Sequence, residues 1–320
     1  MGFSQQRSVQ RLGPNMVIRP NKNALDRDDP DGPSAADERK RLVVCGATGM
    51  LGQRVVDVAR AHGWGVVEAP RAAFDLTDLE STTVWLEKAS PTVVVNCAAY
   101  TNVDAAEEHE DEALRVNGDG AGNLAKATAA IGARLVHVST DYVFRGDGTE
   151  PYREDDPVDP QGAYGRTKLE GERQVAEHNP NHLIARTSWL FGAGGGNFVD
   201  TMLRLAADRD EVSVVADQTG CPTWTGHLAP ALVALAGADA RGIGHLCGGG
   251  QTTWQALAAE TFALSGSATR ALPVTTEEFP RPAPRPAWSV LARTRDDVPR
   301  LPDWREGLRG HLLEIGRLAS

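Results

Sequence analysis

The segment Arg41-Leu-Val-Val-Cys45-Gly-Ala-Thr-Gly49-Met-Leu-Gly52 carries the architecture of this 320-residue chain. Leu42–Cys45 is a short apolar run of the kind a strand covered on both faces needs. Gly46, Gly49 and Gly52 follow at once, and Arg54–Ala61 then shows helical apolar spacing. In a strand–turn–helix the first glycine permits a tight turn and the second lets backbone approach a pyrophosphate. The third lets the helix pack close on the sheet. The helix N-terminus adds free N–H groups and the positive end of its dipole. The segment therefore points to dinucleotide binding, with Gly46, Thr48, Gly49, Met50, Leu51 and Gly52 as the candidate contacts.

Working outward, strands are predicted at Gly65–Glu68, Thr92–Val95, Arg134–Val138 and Leu183–Thr187. Helices are predicted around Trp85 and Leu86, over Glu107–Ala130 as one long element, and over Gly165–His178. This alternation implies an α/β fold with a parallel sheet and helices on both faces. The later third is less regular. Asn197–Ala207 and Leu228–Ala236 read as helices, Gly242–Cys247 as a strand, Leu272–Pro286 as irregular and Asp303–Leu318 as a closing helix. A smaller second domain after about residue 190 fits that change of texture. Residues 1–40 lack apolar periodicity and read as a flexible extension, in which Met16 is an alternative start.

Composition narrows the function classes. With 41% hydrophobic and 24% charged residues, collagen-like, low-complexity and globally disordered readings are excluded. The formal net charge of -10 repels nucleic acid and anionic membrane on average. No apolar stretch is long enough to span a bilayer, and the first forty residues lack a secretory pattern. The four cysteines (Cys45, Cys97, Cys221 and Cys247) are scattered and read as reduced thiols of a cytoplasmic protein.

Tyr164-Gly-Arg-Thr-Lys168 places a phenol and an ammonium about one helical turn apart. Reduction of a carbonyl by hydride leaves an alkoxide that must be protonated. Tyr164 is the candidate general acid, and Lys168 is expected to lower its pKa and hold the nicotinamide ribose. Ser139 and Thr140 end a predicted strand, where side chains of a parallel sheet meet the ligand crevice. The same position suits a hydroxyl that only caps a turn. Asn96-Cys97-Ala98-Ala99-Tyr100 ends another strand, and its small residues leave room for a cofactor. Asn117 either lines that site or lies on a helix surface. Glu68 and Arg71 follow the second strand, so NADH and NADPH both remain open, with Arg71 favouring the 2′-phosphate of NADPH.

The GxxGxxG spacing and the Tyr-x-x-x-Lys resemble the extended branch of the short-chain dehydrogenase/reductases. Further stretches narrow this. Ala98–Glu107, Ser139–Phe144, Arg186–Gly192, Gly196–Val199, Val215–Thr223 and Arg285–Leu291 are similar to the dTDP-4-dehydrorhamnose reductase family, in family order. The resemblance implies a Rossmann-type doubly wound sheet over about 41–190, with a returning segment near 225–250, and a smaller α/β substrate domain over about 191–320. It assigns Thr140 to the substrate carbonyl and makes Asp75 and Leu76 the adenine contacts, with Ala98, Ala99 and Tyr100 at the cofactor. Thr101, Val103, Asp141, Tyr142 and Trp189 would line the sugar, with Trp189 stacked on the hexose or else simply part of the core. Asn197, Gln218 and Thr223 would contact the sugar nucleotide, and Arg285 the diphosphate, for which its planar fork of donors is suited.

The implied reaction is reduction by NADPH or NADH of a dTDP-linked 4-keto-6-deoxyhexose at C4. Reductases of other nucleotide-activated 4-ketosugars, such as a dihydrostreptose-type synthase, would share these motifs. A regulatory subunit of the same fold is a different class, and the intact Thr140, Tyr164 and Lys168 set argues against it. No metal is required by this chemistry. His109-Glu-Asp-Glu112 fans around a helix and reads as a solvated acidic face, and a homodimer is left open.

Overall fold

The computed structural model describes residues 40–69 and 74–319. The predicted extension up to residue 39 and Arg71 lie outside the described residues.

The first half alternates β1 (Arg41–Cys45), α1 (Met50–Ala61), β2 (Gly65–Ala69), α2 (Leu79–Ala89) and β3 (Val93–Asn96). Then come α3 (Ala105–Glu108), α4 (Glu110–Leu114), α5 (Gly120–Ala130), β4 (Arg134–Thr140), α6 (Ala163–His178) and β5 (His182–Thr187). Short elements follow: β6 (Leu190–Phe191), α7 (Phe198–Leu205), β7 (Glu211–Val215), β8 (Thr219–Gly220) and β9 (Thr223–Trp224). The chain closes with α8 (Thr225–Ala236), β10 (Gly242–His245), β11 (Thr252–Thr253), α9 (Trp254–Leu264), β12 (Arg270–Val274) and α10 (Trp304–Glu314).

The main sheet has six parallel strands in the order β10-β5-β4-β3-β1-β2. Alternate side chains enter two cores. Leu42, Val44, Val93, Val95, Val136, Leu183 and Ala185 pack on one face with α1 and α8. Val43, Cys45, Val94, Leu135 and Ile184 pack on the other with α2, α5 and the end of α6. Each valine, leucine or isoleucine among them contributes about 1.5–3 kcal/mol on burial. The strand order reverses between β1 and β3, so a crevice opens where their carboxyl ends part.

The later residues form three two-stranded sheets: β7 with β12, β8 with β11 and β6 with β9. Their helices and Phe191, Val199, Leu203, Leu257, Trp304 and Leu308 make a separate apolar cluster. All four cysteines are free. Among the described residues no helix is long and apolar enough to cross a membrane.

Two local readings differ from the sequence expectation. The long helix expected over 107–130 is broken at His109, whose φ of -127° and ψ of 46° leave helical space. It then passes through a π-turn at Arg115–Asp119, which apolar periodicity does not reveal. The stretch read as irregular from Leu272 begins inside β12, which pairs with β7 in parallel. Pro273 sits in that strand because a two-stranded sheet leaves one side of each strand without a ladder.

Candidate active site

The glycine turn lies at the carboxyl end of β1. Gly46 has φ +71°, and a Cβ there would sit 2.7 Å from the Ala98 backbone nitrogen. A Cβ on Gly52 would lie 2.1 Å from the Gly46 carbonyl oxygen, so α1 packs against the turn only with glycine there. Gly49 is the N-cap, no side chain caps the helix, and its first turn carries no acid. Thr48 and Gly49 are exposed, Met50 is half-buried and Leu51 is buried. This cradle of open N–H groups fits the diphosphate of a dinucleotide.

Beside it, the Ala98 N–H donates to Asn96 Oδ1 at 3.0 Å. Asn117 is buried in the π-turn. Its Oδ1 accepts from the Tyr100 N–H at 2.8 Å, and its Nδ2 donates to the Tyr100 carbonyl and to Thr167. It therefore clamps the loop after β3. Asp75 accepts from the Thr77 N–H and hydroxyl, and Leu76 packs against the second core.

At the end of β4, Thr140 accepts from the Tyr142 N–H at 3.2 Å and donates to Asp141 Oδ1 at 3.0 Å. Tyr164, in the first turn of α6, neighbours the Thr140 hydroxyl and meets the Tyr142 ring edge-on at 5.8 Å. Burial, then the Asp141 carboxylate, push the Tyr164 phenol up to about 12, while the Thr140 hydroxyl works the other way. Burial also raises Asp141 to about 7, against the hydroxyls of Ser289 and Thr140. Tyr142 is pushed up by burial and by Asp141. Lys168 is buried and donates to the Val138 carbonyl at 2.8 Å. Burial pulls it down to about 8, against Glu172 and Cys97.

On the sugar side the expected residues separate. Thr101 is exposed and Val103 half-buried on the loop after β3. Asp104, on the same loop, accepts from Arg281 at 2.5 Å and from Arg285 at 2.9 Å. Arg285 also acts electrostatically on Tyr142, which brings this ion-pair cluster near the Tyr142–Tyr164 pair. Trp189 stacks on Trp254 with centroids 3.5 Å apart, so a protein ring covers one face of its indole.

Asn197 caps α7 and donates to the Gly192 and Gly195 carbonyls and to Asp200. Gln218 donates to Thr276 and accepts from Trp254. Thr223 is buried, donating to the Cys221 carbonyl and accepting from the Gly248 N–H. These three side chains brace loops in the structure.

Sequence reasoning missed a buried polar layer beneath Lys168. His137 lies between Lys168 and Asn96. Glu172 takes a two-pronged ion pair from Arg186 and a hydrogen bond from Ser139. A signal was available: His137 interrupts an otherwise apolar strand, Leu135-Val-His-Val138.

Known proteins share this sequence pattern and this architecture. The family described as RmlD substrate binding domain matches residues 40–316. A dTDP-4-dehydrorhamnose reductase of Streptomyces griseus is 48% identical over 264 residues, 80% of this chain and 87% of that one. A protein of Streptomyces antibioticus, named as a probable dTDP-4,6-dihydroxy-2-methyloxan-3-one 4-ketoreductase, is 42% identical over 84% of this chain and 93% of its own. Among solved structures, a dTDP-4-dehydrorhamnose reductase from Bacillus anthracis in complex with NADP superposes with a TM-score of 0.84. It is 36% identical and covers 86% of this chain and 99% of its own. On the matched span, the shared identity and the common architecture, the chain belongs to the dTDP-4-dehydrorhamnose reductase family.

Proposed function

We propose that the chain reduces the C4 ketone of dTDP-4-dehydro-L-rhamnose to give dTDP-L-rhamnose, using NADPH or NADH. One observation carries this reading. The Tyr164 phenol stands beside Thr140 at the carboxyl end of β4, two strands from an uncapped glycine turn. In this reading the six-stranded sheet and its helices hold the cofactor, and the short sheets after residue 190 supply most of the sugar-nucleotide site. The glycine turn and the N–H groups of Met50 and Leu51 receive the diphosphate, and Lys168 holds the nicotinamide ribose.

When bound, the cofactor supplies the hydride. Thr140 orients the ketone through its hydroxyl. Tyr164, raised to about 12, keeps its proton at neutral pH until the alkoxide develops and then donates it. Arg285, and with it Arg281, offers guanidinium donors to the sugar nucleotide. The NADP-bound relative and Arg71 favour NADPH as the better of the two cofactors.

A second reading has its own support. The Streptomyces antibioticus relative is named for a different 4-ketosugar, yet is nearly as similar as the rhamnose enzymes. Both readings share the mechanism and differ in the sugar.

The test is oxidation of NADPH and of NADH by the purified protein with dTDP-4-dehydrorhamnose, with the product identified. The expected product is dTDP-L-rhamnose, and Tyr164→Phe lowers kcat by about 10²–10⁴-fold, the usual worth of a positioned acid. Cofactor binding without turnover would move the assignment to another 4-ketosugar.

A further inference from the structure

His137 is buried in the middle of β4, and its two ring nitrogens are both engaged. The Ala98 N–H donates to Asn96 Oδ1 at 3.0 Å, which fixes the orientation of that amide. Its Nδ2, a donor, therefore points at His137 Nδ1 at 3.0 Å. Nδ1 must accept, so the proton of the neutral ring sits on Nε2. That N–H is directed at Lys168 Nζ, 3.3 Å away.

An ammonium has three donors and no lone pair, so it opposes this N–H. A neutral amine has one lone pair and can accept it. Moving the ring proton to Nδ1 only transfers the conflict to Asn96, and turning Asn96 breaks its bond from Ala98. In a buried site each arrangement with opposed donors costs the stability of a hydrogen bond left unmade.

We infer that His137 is a positioning residue: held by Asn96 with its proton on Nε2, it drives Lys168 toward the neutral amine in the free enzyme, so that cofactor binding draws in a proton. The surroundings agree. Cys97 from the loop after β3, Glu172 on α6 itself and His182 from β5 are the other titratable groups acting on this pair. Burial, then Lys168 and His182, hold His137 well below the ordinary imidazole range, so the ring stays neutral. Burial lowers Lys168 to about 8, within reach of physiological pH. A ribose hydroxyl that accepts from Nζ, with a diphosphate nearby, would favour the charged form again. This step rests on the cofactor site proposed above; the tautomer does not.

Two readouts separate them. Long-range ¹⁵N correlation of the imidazoles in the free full-length protein, assigned by loss of the signal in His137→Gln, reads the tautomer without cofactor. The expected result is a neutral ring protonated on Nε2; a proton on Nδ1, or an imidazolium, overturns the inference. Calorimetric titration with NADPH in buffers of different ionisation enthalpy then counts protons, just above the Lys168 pKa of about 8. Wild type should take up a substantial fraction of one proton, and Lys168→Met none. His137→Gln, whose amide oxygen can accept from an ammonium, should lose most of the uptake, with His137→Asn as a second variant and circular dichroism to confirm folding. Equal uptake in wild type and the His137 variants overturns the inference. Failure of NADPH to bind defeats the proposed function instead and leaves the tautomer as the deciding measurement.

Discussion

The turn at Gly46–Gly52 and the strap at Thr275–Arg285 are built by opposite means. The turn is backbone geometry: a left-handed Gly46, a Gly52 with no room for a Cβ, and an uncapped helix end. The strap is fixed by charged side chains reaching across the fold. Thr276 donates to Asp217, while Arg281 and Arg285 converge on Asp104, 177 and 181 positions away in the chain. Backbone packing has no adjustable partner, so it is rigid and presents the same donors always. Half-buried ion pairs exchange readily with a ligand carrying the same charges. In the proposed reading the fixed cradle receives the cofactor and the exchangeable clamp meets the charged diphosphate of the sugar nucleotide.

The largest effect is expected at a buried carboxyl that belongs to neither region. Asp141 follows the end of β4 and is flanked by Thr140 and by Ser289 from beyond the strap. Burial raises its folded pKa from 3.8 to about 7. The native state then binds the proton more tightly than the unfolded chain. The stability this group contributes is fully present below about pH 3.8 and is lost as pH rises through about 7. Asp141→Asn removes that slope. Relative to wild type, the variant should gain stability as pH rises from about 4 to 7, by about 1.4 kcal/mol for each step of one in pH. Urea denaturation of both proteins across that range checks it. A constant difference would mean that Asp141 is ionised in the native state throughout.

The next effect tests the turn alone. In Gly52→Ala the new Cβ meets the Gly46 carbonyl, and the turn must open. Overpacking of this kind costs about 1–3 kcal/mol. NADPH affinity should fall about tenfold or more, with the sugar nucleotide's own affinity little changed. Fluorescence titration of NADPH, with circular dichroism as the control for folding, measures it. Unchanged affinity would show that the cofactor does not use this turn.

The same contrast explains what was legible in the sequence. Glycine spacing and the apolar runs of β1, β3, β4 and β5 encode local geometry, so the parallel sheet and its turn could be read without a structure. Tyr164 and Lys168 could be singled out as candidates because they lie one helical turn apart, and the structure places both on α6. Asp104 with Arg285, and Ser139 with Glu172 and Arg186, depend on contacts between distant segments, and no local pattern announces them. Asn117 was visible as a residue, but its clamp on Tyr100 depends on a π-turn that helical periodicity conceals. Asn197, Gln218 and Thr223 were singled out only through their resemblance to family blocks, and no local pattern announces the loop-bracing hydrogen bonds that they also make.

The smallest effect belongs to the strap, and it is the sharpest test of exchange. Asp104→Asn keeps an oxygen for the Ala283 N–H but removes the charge that gathers Arg281 and Arg285. Against the effect of burial, Arg281, the Ala283 N–H and Arg285 hold the Asp104 carboxyl below its ordinary range. Exposed and half-buried pairs are worth about 0.2–1 kcal/mol each, so stability should change little. The strap loses its anchor, and the KM for the sugar nucleotide should rise a few-fold, with kcat and NADPH affinity held. Added salt should narrow the gap between wild type and variant, because it screens the pairs that only the wild type has. A fall in kcat at constant KM would instead place Asp104 at the reacting carbon. A lower KM would show that Asp104 competes with the diphosphate for the two arginines, making the clamp a brake on binding rather than its scaffold.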